Sequence, residues 1–321
     1  MGLFPEWTWI MGFICGAFIG SFLNVVIYRT PRNMPLGKPK HSFCPKCKTQ
    51  LRMPDLWPLF SWAIAGGRCR HCGEKVTSRY FWVELLNGSL WAWIWWDNFC
   101  VGNDVLRAAI YAVAASTLLA IVFIDWELYI IPDQINGFLF LVGIAYNVGL
   151  YIMHNPKATT WGIPSSIAGA LTGIGIIWGI ALFGRLLFGK DAMGHGDIKM
   201  ARGFGAVLFP MGTVLSCGMA VAVGAILGIL QVILLKSKNR PGAAEGDGEP
   251  EPAEPEVYEE PESIGSLLKS GLGYVLCFDL IGLAIPKFYK SWFGEDAILP
   301  FEEVEEWNPD YTMIPFGPYL A

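Results

Sequence analysis

Long apolar runs separated by short polar stretches set the pattern of this chain. A helix needs about 20 mostly apolar residues to cross a bilayer, and several runs reach or approach that length. The first covers about Trp7–Tyr28 and is closed by Arg29. Its Gly12, Gly16 and Gly20 share one helical face, the small-residue spacing that lets a second helix approach closely. The second covers about Tyr80–Trp96, where Trp91, Trp93, Trp95 and Trp96 resemble an interfacial belt. Three more follow: Val105–Ile124, a run that starts after Pro132-Asp133 and ends near Met153, and Ile163–Phe188. Residues 200–235 predict either one long span or two pieces broken at Pro210-Met211-Gly212. The piece ending at Phe209 has only about ten residues, a length typical of a re-entrant or short buried helix. Residues 264–286 are apolar but carry Lys269 and Asp279, so they read as a further span or an interfacial helix.

Composition agrees with a membrane protein. The chain is 53% hydrophobic and 16% charged, with mean hydropathy +0.42, whereas soluble domains carry roughly 25% charged residues. The net charge of -5 is unevenly spread. Basic residues crowd 29–79, and acidic ones crowd 245–262 and 295–310. No strongly basic domain points to nucleic acid, and the first 30 residues lack the basic start and small-residue cleavage site of a removable signal. The lipid bilayer is the partner that composition implies. Positive charge favours the cytoplasmic side, so 29–79 is expected inside and the N-terminus outside. Alternation then puts the polar ends around Asp125 and Gly194–Lys199 inside. Lys236, Lys238 and Arg240 also prefer the inside, which favours the broken form of 200–235 with two crossings. Residues 241–262, rich in Pro, Gly and Glu, have little to bury and predict disorder.

The loop after the first run holds two C-x-x-C pairs, Cys44/Cys47 and Cys69/Cys72. Each pair makes a knuckle, and two knuckles supply the four thiolates that tetrahedral Zn²⁺ prefers. A cytoplasmic loop is reducing, which argues against disulfides. Four filled positions make the zinc structural, holding a loop too small to fold alone. His71 is the lesser candidate ligand. Cys15, Cys100, Cys217 and Cys277 read as packing residues.

Two aspartates stand where carboxylates are expensive. Asp125 ends the apolar run Leu118–Ile124, and Asp197 lies in Met193-Gly194-His195-Gly196-Asp197-Ile198-Lys199, between two apolar segments. An ionisable residue at membrane depth is a functional hypothesis by default. If the two helix ends pack together, the carboxylates meet in a semi-dry site and share a proton. The ionised one can then act as base on a water while the protonated one donates to a carbonyl oxygen. Gly194 and Gly196 either allow a substrate backbone to lie close or merely cap the preceding helix. Asp133 is placed for capping or dipole stabilisation at the start of the next helix. Lys199 either supports the ionised pair or anchors the inside face, and His195 reads as a bystander.

Taken in order, these motifs resemble the type IV prepilin peptidase family, the prepilin leader peptidases and N-methyltransferases. Gly20-Ser-Phe-Leu-Asn-Val-Val-Ile-Tyr-Arg29 is similar to the family's first-helix motif, and the paired C-x-x-C loop follows it. Asp125 with Pro132-Asp133 resembles the first catalytic-aspartate motif, and Gly194-His-Gly-Asp197-Ile-Lys199 resembles the second, G-x-G-D-x-K. The resemblance covers residues 12–235. It implies Asp125 and Asp197 as the catalytic pair of an aspartic endopeptidase in the bacterial inner membrane. It further implies cleavage of prepilin or pseudopilin leaders at the cytoplasmic face, and methylation of the new N-terminus with S-adenosylmethionine. The chain shows no Rossmann-type glycine fingerprint for that cofactor. In the family, a segment like Pro315-Phe316-Gly317-Pro318 opens a final spanning helix, so the C-terminus is expected to be truncated or to lack it.

The expected fold is an all-α polytopic membrane protein, an intramembrane aspartyl protease bundle with a small cytoplasmic four-cysteine zinc module. Its parts are a first transmembrane helix (1–30), the zinc-binding loop (31–79), a catalytic bundle (80–235), a disordered acidic insert (236–263), and an apolar helix with the C-terminal segment (264–321). The alternatives are another GxGD-type protease of the presenilin kind, and a non-enzymatic assembly factor or transporter with a zinc docking module. The first wants a Tyr before its first aspartate, where this chain has Ile124.

Overall fold

Packing of the first two long helices follows directly from the glycine spacing in the sequence. A computed structural model describes residues 2–38, 41–44, 46–52, 55–189, 193–238, 263–294 and 296. In it α1 (Trp9–Arg29) lies against α3 (Arg79–Trp95). A Cβ at Gly12, Gly16 or Gly20 would sit 2.6–2.8 Å from Trp95, Trp91 or Glu84, so only glycine allows this approach. Asn87 Nδ2 donates to the Gly16 carbonyl at 2.7 Å, and Ser116 Oγ donates to Asn87 Oδ1 at 2.8 Å, tying in the next helix. At the end of α1, Arg29 is buried and donates to the carbonyls of Pro35 and Leu36. It therefore closes the helix by covering the next turn rather than by reaching solvent.

The remaining runs become α4 (Val105–Leu128), α5 (Asp133–Ile152), α6 (Ser165–Phe188) and α7 (His195–Lys238). Asp104 caps α4 by accepting from Arg107 N–H at 2.9 Å. Among the described residues five helices are long and apolar enough to cross a membrane, or six if one bent pair is a single span. The helix α3 is shorter than these but continues through a π-helical turn, Trp96–Val101. One core joins the bundle: Ile121, Ile124, Leu139, Ile177, Ile198 and Phe204 pack together.

The break expected at Pro210 is present, one residue early: Phe209 has φ 61 and ψ 175 inside α7. A bulky residue at positive φ is strained. Its ring stacks on Tyr146 at 5.3 Å and 4°, and its carbonyl accepts from Thr213 Oγ1 at 2.6 Å, which hold the conformation. Residues 197–207 before the break are buried throughout, in keeping with the short buried piece read from the sequence.

The helices α6 and α7 cross as closely as α1 and α3. Gly169 and Gly173 lie on the backbones of Gly205 and Ala201, with no space for a Cβ. Gly173→Ala is expected to cost about 1–3 kcal/mol by overpacking. A thermal melt of the detergent-solubilised protein, read against wild type, checks this.

Residues 264–286 are not one straight helix: α8 (Ile264–Val275) bends by 75° into α9 (Phe278–Ala284), a pair that is apolar enough to count as one broken span or a re-entrant loop, and α10 (Pro286–Phe293) follows. Trp178 Nε1 of α6 donates to the Leu267 carbonyl at 3.2 Å. Asp279 of α9 takes Arg202 of α7 in a two-pronged ion pair, Nη1 at 2.7 Å and Nη2 at 2.6 Å, with side chains 1% and 0% exposed. This segment thus completes the core around α7. The helix α7 runs to Lys238. Residues 239–262 and 297–321, which carry most of the acidic stretches and the Pro315–Pro318 motif, lie outside the described residues.

Candidate active site

The turn between α4 and α5 brings the two aspartate motifs to one end of the bundle. Asp125 sits in the last turn of α4, which Tyr129 closes in the left-handed conformation. Gly196, in the first turn of α7, faces Ile131 of that turn: a Cβ there would lie 3.1 Å from Ile131. Asp197 follows. Ile124 and Ile198, the neighbours of the two aspartates, belong to the same core. Both carboxylates are buried, and the charge of Asp125 acts on Asp197. Gly194 lies beside the Asp197 carboxylate, where a Cβ would be 3.4 Å from Oδ2. Asp125 Oδ2 and Asp197 Oδ1 have no hydrogen-bond partner among the described residues. Buried acceptors left open in this way are costly unless a water or ligand meets them.

Three readings of the supporting residues change. Gly194 and Gly196 do not cap α6, because Gly189 does so in the left-handed conformation. Neither has the positive φ that only glycine takes readily. Gly196 is needed for close packing on Ile131, and Gly194 lies under the Asp197 side chain. Asp133 makes no side-chain cap. Both its oxygens accept from Lys199 Nζ at 2.9 Å, and Oδ2 also accepts from Tyr289 Oη at 3.1 Å. Lys199 is therefore buried, with its third bond to Tyr289 Oη at 2.9 Å, and is not an interfacial anchor. His195 stacks at a tilt against Tyr274 (5.8 Å).

Arg202, Asp279 and Tyr289 escaped the sequence reading. The available signal was a basic residue in an otherwise apolar, glycine-rich helix, three residues past the G-x-G-D-x-K motif. Its partner could be found only in space.

The cysteine knuckles form as expected. Cys44 N–H donates to Thr49 and Lys48 N–H to Cys44; Cys69 N–H donates to Glu74 and Gly73 N–H to Cys69. This gives two matching turns. All four sulfurs lie within 4.8 Å of one another, and Cys44 and Cys72 are 4.0 Å apart. Metal–sulfur bonds of about 2.3 Å in a tetrahedron require sulfurs about 3.8 Å apart, so the cluster fits a metal ion. The Thr49 hydroxyl and backbone hold the Cys47 thiol down to about 6 from 9.0, and backbone bonds from Cys72 and His71 lower Cys69. Burial and the neighbouring cysteines push Cys72 the other way, up to about 11. Of the other cysteines, Cys217 is buried, while Cys15 is exposed and is not a packing residue within the chain.

The module is joined to the aspartate end. Arg79, the first residue of α3, pairs with Glu127, two residues past Asp125. Leu59 N–H, at the start of α2 (Phe60–Ile64), donates to Glu84 Oε2 at 2.7 Å.

These features define a polytopic helical membrane protein with two buried carboxylates at one end and, beside them, a four-cysteine cluster whose geometry fits a metal ion. Comparison with known proteins gives the family. Residues 14–98 match the bacterial peptidase A24 N-terminal domain, and 112–229 match the type IV leader peptidase family. Among curated relatives, a prepilin leader peptidase/N-methyltransferase of Myxococcus xanthus is 31% identical over 318 residues, covering 96% of this chain and 86% of that protein. One from Dickeya chrysanthemi is 32% identical over 231 residues, covering 64% and 76%. One from Neisseria gonorrhoeae is 29% identical over 252, covering 70% and 80%. No solved structure matches. The chain belongs to the type IV leader peptidase family and is a multi-pass membrane peptidase.

Proposed function

We propose that this enzyme cleaves the leader of type IV prepilin-like or pseudopilin substrates, using Asp125 and Asp197 as an aspartic pair. The observation that carries the reading is the pair of buried carboxylates at one bundle end, each with an oxygen left open. The curated relatives' names supply the substrate class. One carboxylate takes a proton from a water, which attacks the scissile carbonyl carbon. The other donates its proton to the carbonyl oxygen, and the proton shared between them returns to the leaving amine. Gly194 leaves room beside the Asp197 carboxylate. Gly196 keeps α7 against the α4–α5 turn, and the Lys199–Asp133–Tyr289 contacts fix that turn of α7.

The reaction is placed at the cytoplasmic face of the bacterial inner membrane. The support is the basic content of 29–79 under the positive-inside rule, together with the Arg79–Glu127 pair that puts this loop and Asp125 at one end. The parts proposed are the first helix (1–30), the zinc loop (31–79), the catalytic bundle (80–235), the acidic insert (236–263) and the closing segment (264–321). Cys44, Cys47, Cys69 and Cys72 hold structural zinc, which crosslinks two knuckles that bury little on their own. Chelation, or Cys44→Ser, is expected to lower the melting temperature of the module by at least several degrees. A melt unchanged by zinc removal would overturn the structural role.

The relatives' names also support methylation of the newly exposed amine, with S-adenosylmethionine as the methyl source. The reading as a whole is tested by incubating membranes that contain the enzyme with a prepilin-like substrate. A shortened product of the mass expected for leader removal is predicted, and intact substrate would contradict it.

A further inference from the structure

Three helices converge on Lys199. Its Nζ donates to both oxygens of Asp133 on α5 and to Tyr289 Oη on α10, each at 2.9 Å. Tyr289 Oη donates in turn to Asp133 Oδ2 at 3.1 Å, which closes a triangle of hydrogen bonds among three buried side chains. Aromatic rings of the closing segment enclose it. Lys199 Nζ lies 5.3 Å from the centre of the Tyr274 ring and 5.5 Å from that of Tyr289. Phe293 stacks on Tyr274 at 5.3 Å and sits 4.7 Å from Tyr289. His195 packs against the same Tyr274.

Asp197 therefore stands between two residues, two positions away on either side, that both meet the closing segment. An α-helix turns about 100° per residue, so His195 and Lys199 project about 40° from one another and Asp197 about 160° from each. The closing segment bears on the back of this turn of α7, and Asp197 points away from it. Both tyrosines lie far along the chain from either aspartate motif. Attachment alone does not require the triangle. The segment is already tied to the bundle by the Arg202–Asp279 pair and by the bond from Trp178 to the Leu267 carbonyl.

We infer that Tyr289 is a positioning residue of the peptidase, an inference that rests on the aspartic-pair reading above. Through Lys199 it fixes the rotation of the first turn of α7, and so the approach of Asp197 to Asp125. The hydroxyl suits this role because it is bonded in both directions. It accepts from Lys199 and donates to Asp133, so Lys199 cannot turn away without breaking bonds to two helices. The phenol touches neither substrate nor water. Its effect is on geometry, and a misplacement of about 1 Å at a reacting group can cost on the order of a hundredfold in rate.

The test is steady-state cleavage of a prepilin-like substrate by the full chain in detergent, with rates expressed per folded molecule. Tyr289→Phe keeps the ring and its contact with Phe293 and removes only the hydroxyl. Its kcat is expected to fall at least about tenfold while KM stays within about twofold of wild type, the pattern of a group that acts on the reacting geometry and not on substrate binding. A kcat that stays at the wild-type value, with or without a change in KM or melting temperature, overturns the positioning role and leaves the aspartic pair standing. A wild type that does not cleave overturns the peptidase reading and this role with it. If Tyr289→Phe does not fold, Phe293→Leu removes the ring that seats Tyr289 and leaves the hydrogen bonds in place. It is read in the same way: a lower kcat at unchanged KM supports the role, and a wild-type kcat overturns it.

Discussion

Asp125→Asn and Asp197→Asn are each expected to abolish leader cleavage, with a loss of at least about 10²–10⁴-fold, the range that positioned acid–base groups contribute. The two carboxylates have different jobs at any instant, so neither can substitute for the other. Asparagine matches aspartate in size and removes only the charge, so the bundle should remain folded. The check is substrate conversion in membranes holding equal amounts of each protein, with a melt to confirm folding. Single and double variants should be equally inactive, because residues that act as a unit are not additive. Full cleavage by either single variant would remove the pair from the mechanism.

The second large effect falls outside the catalytic motifs. Asp279→Leu or Arg202→Met leaves one charge of a fully buried pair without its counterpart. Breaking such a pair costs about 3–5 kcal/mol, enough to unfold a marginal protein. Each single variant is expected to melt far below wild type or fail to accumulate. The double replacement Arg202→Met with Asp279→Leu should recover much of the loss, since an apolar pair of similar volume avoids desolvation. Melts of all four proteins give the coupling. Purely additive losses would mean that α9 does not brace α7 through this pair. The closing segment is also held to the bundle away from this pair, since Gly271 of α8 lies on Trp178 of α6.

Much of this architecture was legible in the sequence because a bilayer imposes length and apolarity on each helix. The spans ending near Met153 and Phe188 fall within a residue or two of α5 and α6. The glycines of α1 announced a close partner, and the paired C-x-x-C motif announced four converging sulfurs. Asp125 and Asp197 were legible because carboxylates beside apolar runs are expensive. What could not be read was tertiary. The 75° bend between α8 and α9 places Cys277 in the left-handed conformation, which no composition signals. Asp133 has the sequence position of a helix-start carboxylate, and only the fold brings Lys199 and Tyr289 to it. Arg202 in isolation reads as an awkward cation in an apolar helix; its meaning lies 77 residues away in Asp279. The break in α7 was anticipated at Pro210, but the chain absorbs the constraint at Phe209 because a proline disfavours helical geometry in the residue before it.

The most direct measurement of the central claim is the affinity of a prepilin-leader peptide whose scissile bond is replaced by a hydroxyethylene group. Its hydroxyl takes the place of the attacking water and bridges an aspartic pair. The predicted result is tight binding to the purified enzyme and at least about a hundredfold weaker binding to both Asp125→Asn and Asp197→Asn, of the order expected when charge-assisted hydrogen bonds to a transition-state mimic are lost. Equal affinity in wild type and either variant would contradict the account, because the two carboxylates would then not meet at the scissile bond.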